Sequence, residues 1–239
     1  NDNKRNTILS TVNIDWSRQI ISELTIEDLD KEAIKKARKQ FKLEEKYLQH
    51  VEELYATAEY KQQATDFLKE EFDYIRSFTK GIFTMYEEKI IVGQGEILST
   101  NMVTFYIKEQ GIDVELLPAL DFMRTDKNSE PDLEYIREKL KLILAECPDK
   151  AIYIAQGFIC RNAYGEVDNL QRGGSDYTAS LIGAAIGASE IQIWTDIDGM
   201  HNNDPRVVDN TSPVHQLHFE EAAELAYFGA KILHPTCVQ

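Results

Sequence analysis

The first 80 residues of the chain contain neither glycine nor proline, the two residue types that most often interrupt helices. They are rich in Glu, Lys, Gln, Leu and Ala, most of which favour helices. Thr25, followed by Glu27 and Asp28, is typical of a helix start, because a hydroxyl caps free amides and acids suit the positive end of the helix dipole. This half of the chain is therefore predicted to be mainly helical.

Apolar residues in this half recur at helical spacing. The pattern is typical of amphipathic helices that pack one face on a core. A coiled coil with a partner is the alternative, but strict heptads do not persist. The residues expected to face the core are Ile34, Ala37, Phe41, Leu48, Val51, Tyr55, Leu68, Phe72 and Ile75.

From about residue 90 onward, short β-rich runs alternate with helical runs and glycine turns. The predicted buried strands are Ile90 to Val92, Val114 to Leu117, Ala151 to Gln156 and Ile191 to Thr195, and the predicted helices include Asp132 to Glu146 and Tyr177 to Ala188. Such alternation implies a largely parallel sheet covered by helices. Ligands in such folds bind at the carboxyl ends of the strands, so the residues after each strand are the candidates for chemistry.

The composition limits the classes of partner. With 41 acidic and 26 basic residues the net charge is −15, which disfavours nucleic acids and anionic membranes as partners. No run approaches the roughly 18 apolar residues of a membrane span. The three cysteines are too scattered for a disulfide framework or a CxxC metal site, so we expect free thiols and a cytoplasmic location.

A glycine pair precedes one of the predicted helices. The run Gln171-Arg172-Gly173-Gly174-Ser175-Asp176-Tyr177-Thr178-Ala179 lets the backbone approach an anion, and the free amides of the following helix would point at it. This run is neither GxGxxG nor a Walker loop, and a Gly-Gly turn is also a common connector. Arg172 and Asp176 favour the interpretation as a binding site for a phosphate or carboxylate.

Acids and an arginine follow the last predicted strand, in Trp194-Thr195-Asp196-Ile197-Asp198-Gly199 and Asn203-Asp204-Pro205-Arg206. They suit nucleotide hydroxyls, a metal-bound phosphate or a phosphate itself, although Asp-rich turns are more often caps. An EF-hand is excluded, because its glycine and glutamate positions would be His201 and Val207.

A further helix is predicted from His218 to Gly229, with Glu220 and Glu221 in its favourable first turn and Gly229 at its C-cap. Lys231 and His234 follow it. The lysine could complement the helix dipole, and the histidine could be a satisfied half-buried imidazole.

Together and in this order, these runs resemble the aspartate kinases of the amino-acid kinase superfamily. The resemblance extends from about residue 90 to the end of the sequence. The matching runs are Gly95-Glu96-Ile97-Leu98-Ser99, Met123-Arg124-Thr125, Gln156-Gly157-Phe158-Ile159, Arg172 to Ala179, Trp194-Thr195-Asp196, Asp204-Pro205-Arg206, Glu221 to Leu225 and Phe228 to Pro235.

The resemblance implies a three-layer α/β/α sandwich with a mainly parallel sheet. A helical region at residues 24–89 would precede an α/β core at 90–239, and the family's N-terminal glycine loop and C-terminal ACT domains would lie outside this sequence. Because that loop supplies a catalytic lysine, the chain alone is expected to be inactive.

The resemblance also implies a division of the site. For the substrate, Arg172 resembles the clamp on the aspartate carboxylate and Glu96 the partner of its ammonium group, while Phe158 and Ser175 would line the pocket. Asp176 resembles the catalytic acid that organises the reaction centre. The residues that resemble the nucleotide-binding set are Thr195, Asp196, Arg206 and Lys231, together with His201, which stands where the family usually has a tyrosine.

The implied reaction transfers the γ-phosphoryl group of ATP to the side-chain carboxylate of L-aspartate, the first step towards lysine, threonine and methionine. A carboxylate is already ionised at neutral pH, so the site would neutralise and align two anions rather than supply a general base. ATP and Mg²⁺ are the expected cofactors, no dedicated metal ligands are expected, and the protein is expected to form a homo-oligomer. The alternatives are a kinase for glutamate, acetylglutamate or a nucleoside monophosphate, and a non-catalytic regulatory module.

Overall fold

The computed structural model describes residues 7–10, 31–78, 83–171, 173–194, 199–204, 207–228 and 237, with only the backbone described for 7–10, 31–41 and 226–228. The helices are α1 Lys31–Leu54, α2 Ala58–Ser77, α3 Met85–Glu109, α4 Ala119–Phe122, α5 Leu133–Glu146, α6 Gly174–Ile186 and α7 Phe219–Phe228. The strands are β1 Thr7–Ser10, β2 Val114–Leu117, β3 Ile152–Ala155, β4 Ile159–Arg161 and β5 Val167–Asn169.

Two sheets are present in the described ranges. β1, β3 and β2 form a parallel sheet in that order, with Ile152 aligned to both Thr7 and Val114. Successive residues of β3, Tyr153, Ile154 and Ala155, are all buried, so both faces of this central strand are covered. β4 and β5 form an antiparallel hairpin. Helices around a parallel sheet confirm the predicted α/β class.

A helical cluster holds α1, α2 and α3 together. Its buried members include Val51, Tyr55, Leu68, Phe72 and Ile75, which the helical spacing had marked as core residues. Leu48 packs against the same cluster. The side chains of Ile34, Ala37 and Phe41, and the predicted helix start at Thr25, lie outside the described residues.

The predicted strand from Ile90 to Val92 is wrong, because these residues lie inside α3. A capping box between Thr84 and Glu87 starts this helix, and it continues to Glu109. The helix is apolar on two sides, since Leu98 packs in the helical cluster while Ile97 packs on the sheet side. A helix buried in this way carries the same short apolar run as a buried strand.

One strand was not predicted, and one predicted strand is absent from the described residues. Thr7–Ser10 forms a strand that pairs in parallel with β3, although no signal in the sequence had marked it. Residues 191–194 of the predicted strand from Ile191 to Thr195 are not in a strand. Ile191 instead packs against α6, where a Cβ at Gly183 would lie 2.4 Å from its Cδ1.

The other predicted elements are confirmed with small shifts. β2 has the predicted bounds, and β3 is one residue shorter at each end. Asp132 caps α5 through the amide of Tyr135, α6 begins three residues before the predicted Tyr177, and α7 follows His218. The three cysteines are free thiols. No helix in the described ranges combines the length and apolar character that a bilayer span requires.

Candidate active site

The turn between β3 and β4, residues 156–158, joins the helices that carry the candidate residues. Gln156 is buried at the end of β3. Its Oε1 accepts a hydrogen bond from the amide of Ala119 at 2.7 Å, and its Nε2 donates to Oγ1 of Thr100 at 3.0 Å. The end of the central strand is thereby connected to α3 and to the start of α4.

Phe158, the third residue of this turn, has a left-handed backbone with φ of +68°. A bulky residue in this region costs about 1–3 kcal/mol, so the surroundings must hold it there. Its amide donates to Oγ1 of Thr178 on α6 at 3.1 Å, and its carbonyl accepts from the amide of Leu170 at 2.8 Å. A Cβ at Gly174 would lie 3.0 Å from Cδ2 of Phe158, so glycine allows the ring to pack against the start of α6.

The first turn of α6 contains Ser175 and Asp176, both half-buried. The helix begins after Gly173, whose φ is +78°, and among the described residues no side chain caps its start. Free amides and the positive end of the helix dipole favour an anion at such a position. Asp176 lies beside them, and its carbonyl accepts a hydrogen bond from Oγ of Ser180 at 3.1 Å.

Glu96 lies in the middle of α3 and belongs to the helix face on which Gly93 and Thr100 contact the β3–β4 segment. Gly93 and Thr100 share this face because they are three and four residues away. A Cβ at Gly93 would lie 3.0 Å from Cγ2 of Ile159, and Thr100 bonds Gln156. Partial burial raises the pKa of Glu96 to about 7, and no ion pair to its carboxylate is present among the described residues. A cationic ligand bound beside Glu96 would neutralise this acid.

The helical region also reaches this part of the site through Tyr47 of α1. Tyr47 is buried and contacts Phe72 edge-on, with ring centroids 5.7 Å apart. Burial, and secondarily the negative charge of Glu96, raise the pKa of Tyr47 well above its ordinary value. Tyr47 and Glu96 are thus close enough to interact electrostatically, although they belong to different helices.

His201 is buried in a loop. Its Nδ1 lies 2.9 Å from Oγ1 of Thr211. The backbone of His201 forms an isolated antiparallel β-bridge with Pro213. Asn202 and Ser212 exchange hydrogen bonds of 3.0 Å beside it, which closes the loop. The nucleotide role of His201 stays a prediction.

Five of the predicted site residues lie outside the described ranges, namely Arg172, Thr195, Asp196, Arg206 and Lys231. Among the predicted residues that are described, Phe158 and the Ser175–Asp176 turn come together through Gly174 and Thr178. Glu96 lies on α3 between Gly93 and Thr100, which contact the same β3–β4 segment. In the described ranges no group of three or more His, Cys, Asp or Glu side chains could hold a metal ion.

Sequence reasoning gave no role to Thr100, Tyr47 or Thr178. Gln156 stood within one of the family-like runs but was given no task of its own. Tyr47 precedes Val51 and Tyr55 at helical spacing, and Thr178 follows Gly174 by four residues. Such spacing indicates ordinary core positions. Their contacts connect separate elements, which sequence spacing alone does not reveal.

The family model described as "Amino acid kinase family" matches residues 18–239. The chain therefore belongs to the amino acid kinase family. Within that family it is similar to aspartokinases of bacteria and plants.

Two relatives illustrate the similarity in sequence. The lysine-sensitive aspartokinase 3 of Escherichia coli is 38% identical over 148 residues, which cover 61% of this chain and 33% of that protein. The chloroplastic aspartokinase 1 of Arabidopsis thaliana is 38% identical over 172 residues, which cover 67% of this chain and 30% of that protein. The chain thus spans about a third of these relatives.

The likeness in structure extends over almost the whole chain. E. coli aspartokinase III, solved in complex with aspartate and ADP, superposes with a TM-score of 0.81 and 28% identity over 98% of this chain and 52% of that one. The same enzyme in complex with lysine and aspartate gives a TM-score of 0.77. The match confirms the fold class predicted from the sequence.

The raised pKa of Glu96 predicts how pH affects the stability of the unliganded protein. Its pKa is about 7 in the folded state against an ordinary 4.5, so the folded state retains a proton between these values that the unfolded state has released. The contribution of Glu96 to the free energy of unfolding therefore falls as pH rises from 4.5 to 7. Glu96→Gln should raise the free energy of unfolding on the order of 2 kcal/mol at pH 8 and leave it nearly unchanged at pH 4.5.

Urea denaturation at both pH values measures this difference. The matched control is Glu138→Gln, which removes an exposed carboxylate from α5 and should change stability little at either pH. Equal effects of Glu96→Gln at pH 4.5 and pH 8 would contradict the raised pKa.

Proposed function

We propose that the protein transfers the γ-phosphoryl group of ATP to the side-chain carboxylate of L-aspartate, giving 4-phospho-L-aspartate. The observation that carries this proposal is the partly buried carboxylate of Glu96, on the α3 face whose Gly93 and Thr100 contact the β3–β4 segment that also holds Phe158 against the start of α6. The similarity to an aspartokinase solved with aspartate and ADP supports the same activity.

The charges of the substrate match the proposed residues. L-Aspartate carries one ammonium group and two carboxylates, of which one accepts the phosphoryl group. Glu96 would bind the ammonium and Arg172 the other carboxylate, since a guanidinium offers two parallel donors to a carboxylate. Phe158 and Ser175 would line the wall between them.

The nucleotide would be bound by Thr195, Asp196, His201, Arg206 and Lys231. Arg206 and Lys231 would contact its polyphosphate. ATP would enter as its Mg²⁺ complex, in which phosphate oxygens and water supply most of the metal's ligands. Magnesium neutralises charge on the phosphates when bound.

This chain's own residues then have two tasks. The first is to hold the aspartate carboxylate in line with the phosphoryl group, because two anions repel each other in the absence of fixed cations. The second is to stabilise charge on the transferred group, for which the uncapped amides of α6 are suitably oriented. Asp176 would organise the cations and donors around the reaction centre. No general base is needed.

We further propose that the product serves lysine, threonine and methionine synthesis, that the enzyme acts in the cytoplasm and that it forms a homo-oligomer. The free cysteines are compatible with a reducing compartment.

The activity is tested by hydroxamate formation with the full-length protein, ATP and magnesium. L-Aspartate should give at least tenfold higher kcat/KM than glutamate or acetylglutamate, because only its shorter side chain reaches the phosphoryl group while both clamps are engaged. Preference for either competitor would overturn the assignment, and absence of turnover with all three would favour a regulatory module.

Substitutions should separate the two halves of the site. Arg172→Lys keeps the charge but loses the bidentate geometry, and Glu96→Gln removes the partner of the ammonium. Each should reduce kcat/KM for aspartate by on the order of 2 kcal/mol. Lys231→Ala should weaken ATP binding instead. Calorimetry that showed Arg172→Lys and Glu96→Gln impairing only nucleotide binding would contradict this division.

A further inference from the structure

Glu96 lies between two contacts that fix α3 against the β3–β4 segment. Gly93, Glu96 and Thr100 occupy one face of the helix. On one side of Glu96, the missing side chain of Gly93 lets Ile159 approach, since a Cβ there would lie 3.0 Å from its Cγ2. On the other side, Thr100 is hydrogen-bonded to Gln156. Rotation or sliding of α3 would disturb both contacts.

The second contact belongs to a continuous chain of hydrogen bonds. The amide of Ala119 donates to Oε1 of Gln156 at 2.7 Å, and Nε2 of Gln156 donates to Oγ1 of Thr100 at 3.0 Å. Oγ1 of Thr100 donates in turn to the carbonyl of Glu96 at 2.7 Å. Gln156 and Thr100 are 2% and 3% exposed, so water cannot readily replace these bonds.

We propose that Gln156 and Thr100 are positioning residues for the amino-acid substrate, and that their hydrogen bond holds the Glu96 carboxylate where the substrate ammonium binds. This inference rests on the proposed function. Gln156 is adjacent to Gly157-Phe158, so the same segment positions the wall of the pocket at Phe158 and its anionic group at Glu96.

Thr104 provides a matched control on the same helix. It is also buried, at 2% exposure, and its Oγ1 donates to the carbonyl of Thr100 at 2.7 Å. This hydrogen bond stays within α3, whereas that of Thr100 reaches the β3–β4 turn. Thr→Val at either position removes a buried hydroxyl from the same helix with nearly the same change of shape.

The experiment compares Thr100→Val, Thr104→Val and Thr100→Ser in the full-length protein. Thr100→Val should raise the KM and the calorimetric Kd for L-aspartate about tenfold, with kcat at saturating aspartate and the KM for ATP changed less than threefold. Thr104→Val should stay within twofold of the wild type in every parameter. Thr100→Ser, which keeps the hydroxyl, should restore the wild-type KM for aspartate.

The outcomes separate this inference from the proposed function. If the wild type phosphorylates aspartate but Thr100→Val and Thr104→Val bind it equally well, or if Thr100→Val weakens ATP as much as aspartate, the positioning role is overturned and the function stands. Absence of aspartate binding and turnover in the wild type overturns both. Circular dichroism first establishes folding, and Thr100→Ala, which introduces no new contact, carries the same test if Thr100→Val does not fold.

Discussion

A carboxylate kept largely out of water on a buried helix is the constraint on which the candidate site depends. Burial raises the pKa of Glu96 to about 7, so its ionised form destabilises the unliganded protein. The packing around α3 has to offset this cost, and a cationic ligand relieves it. A residue that destabilises the folded protein but carries a charge opposite to that of a ligand is characteristic of a binding site rather than of a core position.

The packing that offsets this cost comes from both sides of α3. Leu98 and Met102 face the helical cluster, where the hydroxyl of Tyr55 donates to the carbonyl of Met102 at 2.7 Å. The opposite face meets the β3–β4 segment through Gly93 and Thr100. The ion pair of Lys89 with Asp168 on β5, at 2.7 Å, adds a third contact near the start of the helix. The helical region and the parallel sheet therefore share one helix, and that helix carries Glu96.

The sequence predicted the α/β class, two of the strands and most of the helices, because spacing, caps and composition are local signals. It failed for Ile90 to Val92, because an apolar run of three residues is the same in a buried helix and in a buried strand. It failed for residues 191–194 because Ile191 packs back on Gly183. It did not find β1, whose four residues gain their structure from pairing with β3.

For the site, resemblance to a family named the residues, but the contacts that position them could not be predicted. Gln156 and Thr100 are 56 positions apart, and their hydrogen bond depends on how α3 crosses the end of β3. The left-handed Phe158 is likewise held by Thr178, 20 positions further on. Neither relation leaves a local signature in the sequence, whereas a capping box such as that of Thr84 and Glu87 does.

The most direct test of this account is a ¹³C NMR titration of the Glu96 side-chain carboxyl, with and without saturating L-aspartate, assigned by its loss in Glu96→Gln. The account predicts a pKa near 7 in the free protein, as partial burial requires. With aspartate bound, the ammonium partner should lower this pKa by at least two units. An ordinary pKa in the free protein, or a raised pKa that aspartate leaves unchanged, would contradict the assignment of Glu96 as the group that receives the substrate's positive charge.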